Sequence, residues 1–237
     1  MIFSPKALSL DLDDTLWPIW PAIERAEAAL DAFLRERCPR TAERFPVPEM
    51  RLLRERIAAE YPQYAHDFTR QRKLSLSHAL HIAGDDQAHA EDAFEAFYQV
   101  RNQIEFFPDA LPALARLSAR FPIAALTNGN ADLQRIGIAR HFTVQVMARD
   151  EGHAKPEAPI FHATCLRLGV AVDRVLHIGD DPVLDISGAA RAGLRTCWIN
   201  RRQEAWPDHL PPPDLQFPTL AALADWLDTH SPVSEIP

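Results

Sequence analysis

Apolar positions along the chain follow two rhythms. Near the start, and again through the second half, they form short runs at residues 7–10, 123–126, 144–147, 175–178 and 196–199. Brief apolar runs bounded by polar stretches predict strands buried on both faces. Between the later runs the spacing changes to threes and fours. Leu111, Leu114 and Leu117 predict one helix, and Ile160, Ala163 and Leu168, opened by Pro156 and Pro159, predict another. Residues 183–192 predict a third, stopped by Gly193. Strands alternating with helices predict an α/β fold with a Rossmann-like parallel sheet.

Residues 17–107 interrupt this alternation with a helical pattern. Ile19, Ile23, Ala26, Leu30 and Phe33 recur at helical spacing; Leu52, Leu53 and Ile57 suggest a second helix. Leu74, Leu76, Ala79, Leu80 and Ile82 suggest a third, ending at Gly84, and Phe94, Phe97, Arg101 and Ile104 a fourth. About 90 residues is far more than a crossover needs, so the economical reading is an inserted α-helical, four-helix domain at 17–107. The core domain is then 1–16 and 108–237. Prolines from Pro207 to Pro213 break the chain after the last run, Leu220 to Leu227 predict a closing helix, and the tail SPVSEIP is expected to fray.

Composition adds exclusions. At 237 residues, 47% hydrophobic and 24% charged, the chain has material for a sizeable core. A net charge of −8 disfavours duplex nucleic acid and anionic membranes as partners. No run reaches the roughly 18 apolar residues of a membrane span. Cys38, Cys165 and Cys197 are scattered, which fits reduced thiols in a soluble cytoplasmic protein. A monomer or homodimer is expected.

The chemistry gathers where strands end. In an open parallel sheet, ligands bind beyond the carboxyl ends of the strands. The first run leads into Asp11 and Asp13, the second into Thr127, Asn128 and Gly129, the fourth into Asp180 and Asp181 with Asp185 beyond; Lys155 follows the third. Carboxylates gathered without basic neighbours suggest a hard divalent cation such as Mg2+, with Asp11 and Asp180 as ligands. Lys155 and the donors at Thr127–Asn128 would complement an anion facing that metal, giving a pocket for a transferring phosphoryl group. A carboxylate there can act as nucleophile, and a second acid two residues later can protonate the leaving alkoxide.

Taken in order, DLDDTLW, LTNGN, GHAKPEAPIF and HIGDDPVLDISGAARAGL resemble the four motifs of the haloacid dehalogenase-like superfamily. The resemblance implies Asp11 as nucleophile, Asp13 as general acid/base, and Lys155 as charge stabiliser. It implies Thr127 and Asn128 as phosphoryl binders, and Asp11, Asp180 and the Asp13 backbone carbonyl as Mg2+ ligands. Asp185 would orient Lys155 or a metal-bound water, and Asp181 would play a supporting part. Asp14 and Thr15 would shape the turn leaving the first strand. The insertion would be a C1-type cap that closes over the site. The expected activity is Mg2+-dependent hydrolysis of a small phosphorylated metabolite through an aspartyl-phosphate. The opening, the cap stretch HDFTRQRKLSLSHAL and the HIGDD…CWIN region resemble bacterial phosphatases of the flavin (riboflavin) pathway, which act on flavin mononucleotide or 5-amino-6-(5-phosphoribitylamino)uracil.

Alternatives stand beside this reading. A haloacid dehalogenase on the same fold would lack the acid at Asp13, and a phosphonate hydrolase would need a cap lysine, for which Lys73 is the sole candidate. A non-catalytic binding or regulatory protein would keep the fold without needing the acids. Each residue has a bland use too: Asp11 as turn former, Lys155 as solvated lysine, Asp185 as a helix-start charge. Trp17 and Trp20 either stack on a flat ring or anchor the cap core, with the core favoured for Trp20. Most of His66, Arg70, Arg72 and Lys73 are expected on a solvated helix face. His78, His81, His89, His141, His153 and His162 are expected at the surface without metal.

Overall fold

The computed structural model describes residues 4–230, so the SPVSEIP tail lies outside the described residues. The chain divides into two compact units. One holds the chain up to Pro18, Phe106–Asn128, and from Gly137 on; the other holds Ile19–Glu105 and Gly129–Ile136.

The first unit is built on a parallel sheet of β1 (Ala7–Leu10), β2 (Ile123–Thr127), β3 (Val144–Met147), β4 (Val175–Gly179), β5 (Arg195–Ile199) and β6 (Leu215–Phe217). The order is β3-β2-β1-β4-β5-β6. β1, β2 and β4 are buried along their whole length, which is why their sequences run apolar instead of alternating. The chain builds outward from β1 on one side, then returns to lay β4 on the other. The strand order therefore reverses between β1 and β4, where an open α/β sheet leaves a crevice at its carboxyl edge.

β6 escaped the sequence pattern. It is a three-residue edge strand just after Pro211–Pro213, and edge strands tolerate neighbouring prolines because one side of the ladder is unpaired. The predicted helix at 183–192 also differs. Residues Pro182–Ser187 form a wide turn, with Ile186 N–H bonded to Asp181 O at 3.2 Å, and a regular turn follows over Gly188–Arg191.

The second unit is helical: α1 (Ile19–Arg37), α2 (Pro39–Arg44), α3 (Val47–Glu60), α4 (Phe68–Ala83), α5 (Ala90–Arg101) and a short segment at Leu133–Ile136. Its core joins Leu30, Leu34, Leu53, Leu76, Leu80 and Phe97. α4 starts at Asp67, whose carboxylate accepts the Arg70 N–H at 2.9 Å, and stops at Gly84, whose φ of 77° suits a residue without a Cβ. The short α2 left no hydrophobic period to read. It is fixed from outside by Asp85, which accepts from the Thr41 N–H at 2.7 Å and hydroxyl at 2.8 Å.

Some expectations are corrected. Trp20 is 61% exposed and Trp17 is fully buried, so Trp17 is the one in a core. Arg72 is not on a solvated face: it is 8% exposed, with its guanidinium 3.6 Å from the Phe97 ring centroid. Burial there pushes it down to about 9, with Arg54 adding to the shift. Among the described residues no helix is long and apolar enough to cross a membrane.

Candidate active site

Asp11 leaves β1 at the reversal point. Its N–H is still bonded to Ile178 O of β4 at 2.9 Å, so the backbone is held by the sheet while the side chain faces the crevice edge. Asp11 is 6% exposed, and its carboxylate accepts from Lys155 Nζ and from Thr15 Oγ1, the latter at 3.1 Å. Thr15 Oγ1 also lies 3.2 Å from Asp180 Oδ1. A hydroxyl carries one proton, so it serves one of the two aspartates at a time.

Lys155 is brought in from the loop before α6, the helix over Ala158–Leu168. Asn128 sets its position. The Asn128 Oδ1 accepts the Lys155 N–H at 2.8 Å and its Nδ2 donates to Lys155 O at 2.9 Å. The Asn128 amide is thus spent on the Lys155 backbone, a use that its place beside Thr127 in the sequence did not reveal. Thr127 ends β2 and is 1% exposed.

The Lys155 ammonium also donates to Asp185 Oδ1 at 2.6 Å. Behind Asp185 stands His177, in the middle of β4 and fully buried. Its Nε2 lies 3.2 Å from Asp185 Oδ1 and its Nδ1 2.9 Å from Ser9 Oγ. An ionised carboxylate only accepts, which puts the imidazole proton on Nε2 and makes Nδ1 the acceptor from Ser9. Ser9 and His177 face each other in register. A polar chain therefore runs Ser9–His177–Asp185–Lys155–Asp11 through a buried interior. The signal that could have found its first members was a serine and a histidine interrupting two apolar strands.

The remaining candidates have defined places. Asp13 is half-buried, and its Oδ1 accepts from Trp17 Nε1 at 2.8 Å. Asp14 takes a left-handed φ of 60° at the turn. Asp181 accepts from the N–H groups of Val183 and Leu184, both at 2.7 Å, and so caps the wide turn. The Asp181 N–H donates to Asp185 Oδ2 at 3.1 Å, which helps aim Asp185 back toward Lys155.

Electrostatics separate the acids. Burial raises the Asp11 carboxyl well above the ordinary range; Lys155 opposes this, and Asp185 and Asp180 add to it. Burial pushes Asp180 up to about 7, reinforced by Asp185 and Asp14. Burial would also raise Asp185, but Lys155 and the His177 hydrogen bond hold it well below the usual range. For Lys155, burial is outweighed by Asp11 and Asp185, which keep it an ammonium. Burial keeps His177 below its ordinary value, hence neutral at pH 7. Asp11, Asp180 and Asp185 each place a carboxylate oxygen within 4.8 Å of the others. With one ammonium among three carboxylates and Asp185 committed to Lys155 and His177, an oxygen-seeking cation fits best against Asp11 and Asp180. None of the histidines singled out in the sequence joins a metal-capable group among the described residues.

Gly179 makes the approach of Asp185 possible. A Cβ at this position would overlap the Asp185 carboxylate. Replacing Gly179 by alanine is expected to displace Asp185 and slacken Lys155, lowering kcat about 10²-fold and stability by roughly 1–3 kcal/mol. Steady-state kinetics with a thermal melt tests this; an alanine variant with unaltered kcat would mean that Asp185 is not needed where it stands.

The family model described as haloacid dehalogenase-like hydrolase matches residues 5–193. The 5-amino-6-(5-phospho-D-ribitylamino)uracil phosphatase YigB of Escherichia coli is 31% identical over 226 residues, covering 92% of this chain and 94% of that protein. A phosphoserine phosphatase of Thermus thermophilus is 34% identical over 136 residues, 55% of each chain. Among solved structures, a 2-haloacid dehalogenase from Pseudomonas syringae pv. Tomato is similar with a TM-score of 0.88 at 38% identity, over 95% of this chain and 99% of that one.

Proposed function

The chain belongs to the haloacid dehalogenase-like hydrolase family, and from that premise we propose that it hydrolyses small phosphomonoesters through an aspartyl-phosphate on Asp11. A carboxylate oxygen of Asp11 attacks phosphorus, and the ester P–O bond breaks. The departing alkoxide takes a proton from Asp13. Water then attacks the acyl phosphate and gives a proton to Asp13, which regenerates the Asp11 carboxylate and releases phosphate. Lys155 offsets charge on the phosphoryl oxygens, and Thr127 with the backbone at Asn128 supplies donors to them. Asp185 holds the ammonium, and His177 holds Asp185. Asp11, Asp180 and the Asp13 carbonyl are the residues that would hold Mg2+, which when bound neutralises these acids and polarises the phosphoryl group. The helical unit takes the role of specificity cap.

The observation that carries this reading is the buried Asp11–Lys155–Asp185 ion chain beside Asp180, with a second acid two residues after Asp11. The similarity to YigB across most of both chains favours a phosphorylated ribitylaminouracil as substrate, and the resemblance of the sequence motifs to flavin-pathway phosphatases adds flavin mononucleotide. The similarity to a 2-haloacid dehalogenase supports a second reading, carbon–halogen cleavage. Asp13 weighs against it, because displacement of a halide needs no proton donor. A phosphonate-cleaving Schiff base on Lys73 is disfavoured by its ion pair with Glu91 at 2.5 Å. Release of inorganic phosphate from these esters, and of chloride from 2-chloropropionate, separates the readings. Phosphate release that chelation abolishes is expected; halide release alone would overturn the proposal.

The raised Asp180 carboxyl has a pH consequence. Its folded-state value near 7 exceeds its ordinary 3.8, so the metal-free fold keeps a proton that the unfolded chain has released. Stability therefore declines as pH rises through that window. Mg2+ binds the ionised form, so the rise in Tm on adding Mg2+ is expected to be larger at about pH 8 than at about pH 5.5. Equal shifts at both pH values would argue against Asp180 as a ligand.

A further inference from the structure

Trp17 is a large side chain with 0% exposure, next to the point where the chain leaves the sheet unit. A phenylalanine would fill much the same space without a polar atom. An indole brings one N–H, a donor with no acceptor capacity, and leaving it unbonded in a dry site would cost about 1–3 kcal/mol. Its partner is Oδ1 of Asp13, at 2.8 Å.

The surroundings make this bond a fixed one. Asp13 and Trp17 also form an isolated backbone bridge, and the Asp14 N–H donates to Trp17 O at 2.7 Å. The Leu16 carbonyl accepts from the Phe107 N–H at 2.9 Å, so the outgoing and returning strands of chain are tied together. The Trp17 ring meets Phe106 edge-on, with centroids 5.7 Å apart. Arg201 completes the clamp: it donates to Thr15 O at 2.8 Å, pairs with Asp109 at 2.8 Å, and lies 4.0 Å from the Phe107 ring centroid. The indole cannot turn away from Asp13 without breaking this packing.

We infer that Trp17 is a positioning residue for the proton transfer: its indole N–H holds the Asp13 carboxyl through Oδ1 and so sets the orientation from which Asp13 passes a proton to the leaving group. The inference rests on the phosphatase reading, in which Asp13 is the general acid. On cleavage of the ester P–O bond, the carboxyl O–H bond of Asp13 breaks and its proton goes to the alkoxide oxygen, while the indole bond to the Asp13 side chain is kept throughout. Trp17 touches no reacting atom, so its effect depends on how much the leaving group needs that proton. An alkoxide needs it; p-nitrophenolate leaves without it.

The test compares kcat/KM for an alkyl phosphate and for p-nitrophenyl phosphate, with Mg2+ present. One variant is Trp17→Phe. In the other, Trp17 is replaced by benzothienylalanine, which keeps the ring shape and swaps the N–H for sulfur, so that a packing defect is not mistaken for a lost donor. For the second variant the alkyl ester is expected to fall about 10²-fold and the nitrophenyl ester by less than about 3-fold. Asp13→Asn should show the same split, more strongly. A parallel fall with both esters, or no fall with either, overturns the role of Trp17 while leaving the phosphatase reading intact. Failure of the unaltered protein to hydrolyse either ester overturns the phosphatase reading and this inference together.

Discussion

Replacing Asp11 by asparagine is expected to abolish turnover, by at least about 10⁴-fold in kcat, while leaving a folded protein. Asparagine keeps the size of the side chain and an oxygen for the Thr15 hydroxyl, but an amide neither attacks phosphorus well nor forms an acyl phosphate that water can cleave. The fold survives because the charge removed is one that burial already opposed. Lys155 keeps Asp185 as its counter-ion at 2.6 Å. Two measurements check this. Steady-state phosphate release should vanish, and acid quenching with radiolabelled substrate should trap phosphate on the unaltered protein but not on the variant. A variant that still turns over, with a native circular dichroism spectrum, would remove Asp11 from the role of nucleophile.

Lys155→Met is expected to do double damage. Methionine nearly matches the shape of the lysine stem, so packing changes little. What is lost is the ammonium that faces Asp11 and Asp185, whose side chains are 8% and 2% exposed. Breaking a buried ion pair from one side costs about 3–5 kcal/mol, because the partner charge is left uncompensated. Without Lys155, the folded-state values of both carboxyls rise, so the variant's fold binds protons that the unfolded chain does not. Its stability deficit should therefore be larger at about pH 8 than at about pH 5, whereas a simple packing defect would be the same at both. Urea unfolding at the two pH values decides it. Phosphate release should fall in step, since the ammonium that would offset charge on the phosphoryl oxygens is gone.

Much of the fold was legible because its signals are local. Strands β1, β2 and β4 are mostly apolar runs buried along their whole length, an environment that leaves little alternation to confuse the pattern. Helices α1, α3, α4 and α5 show helical spacing because each lays one stripe against a shared core. Signals failed where an element is too short to carry a period, as at α2 and β6. They failed again where local chemistry bends a helix, as in the wide turn that Asp181 caps. Trp17 and Trp20 lie three residues apart and read alike, yet one is buried and the other exposed. Composition cannot separate them, because burial depends on which residues from distant segments arrive beside each.

The sequence by itself determined most of the inventory: the first five strands, where they end, and that acids, a lysine and a threonine stand at or just beyond those ends. Such information sits in spacings of a few residues. Only the tertiary structure decided who meets whom. Asp11 and Lys155 are 144 residues apart, and Thr15 and Asp180 are 165 apart; their contact follows from strand order, which no local pattern states. Partner choice was settled at the same level. The Asn128 amide goes to the Lys155 backbone, His177 backs Asp185, and Trp17 holds Asp13, because a buried donor or acceptor takes whatever partner the packed sheet and loops bring within reach.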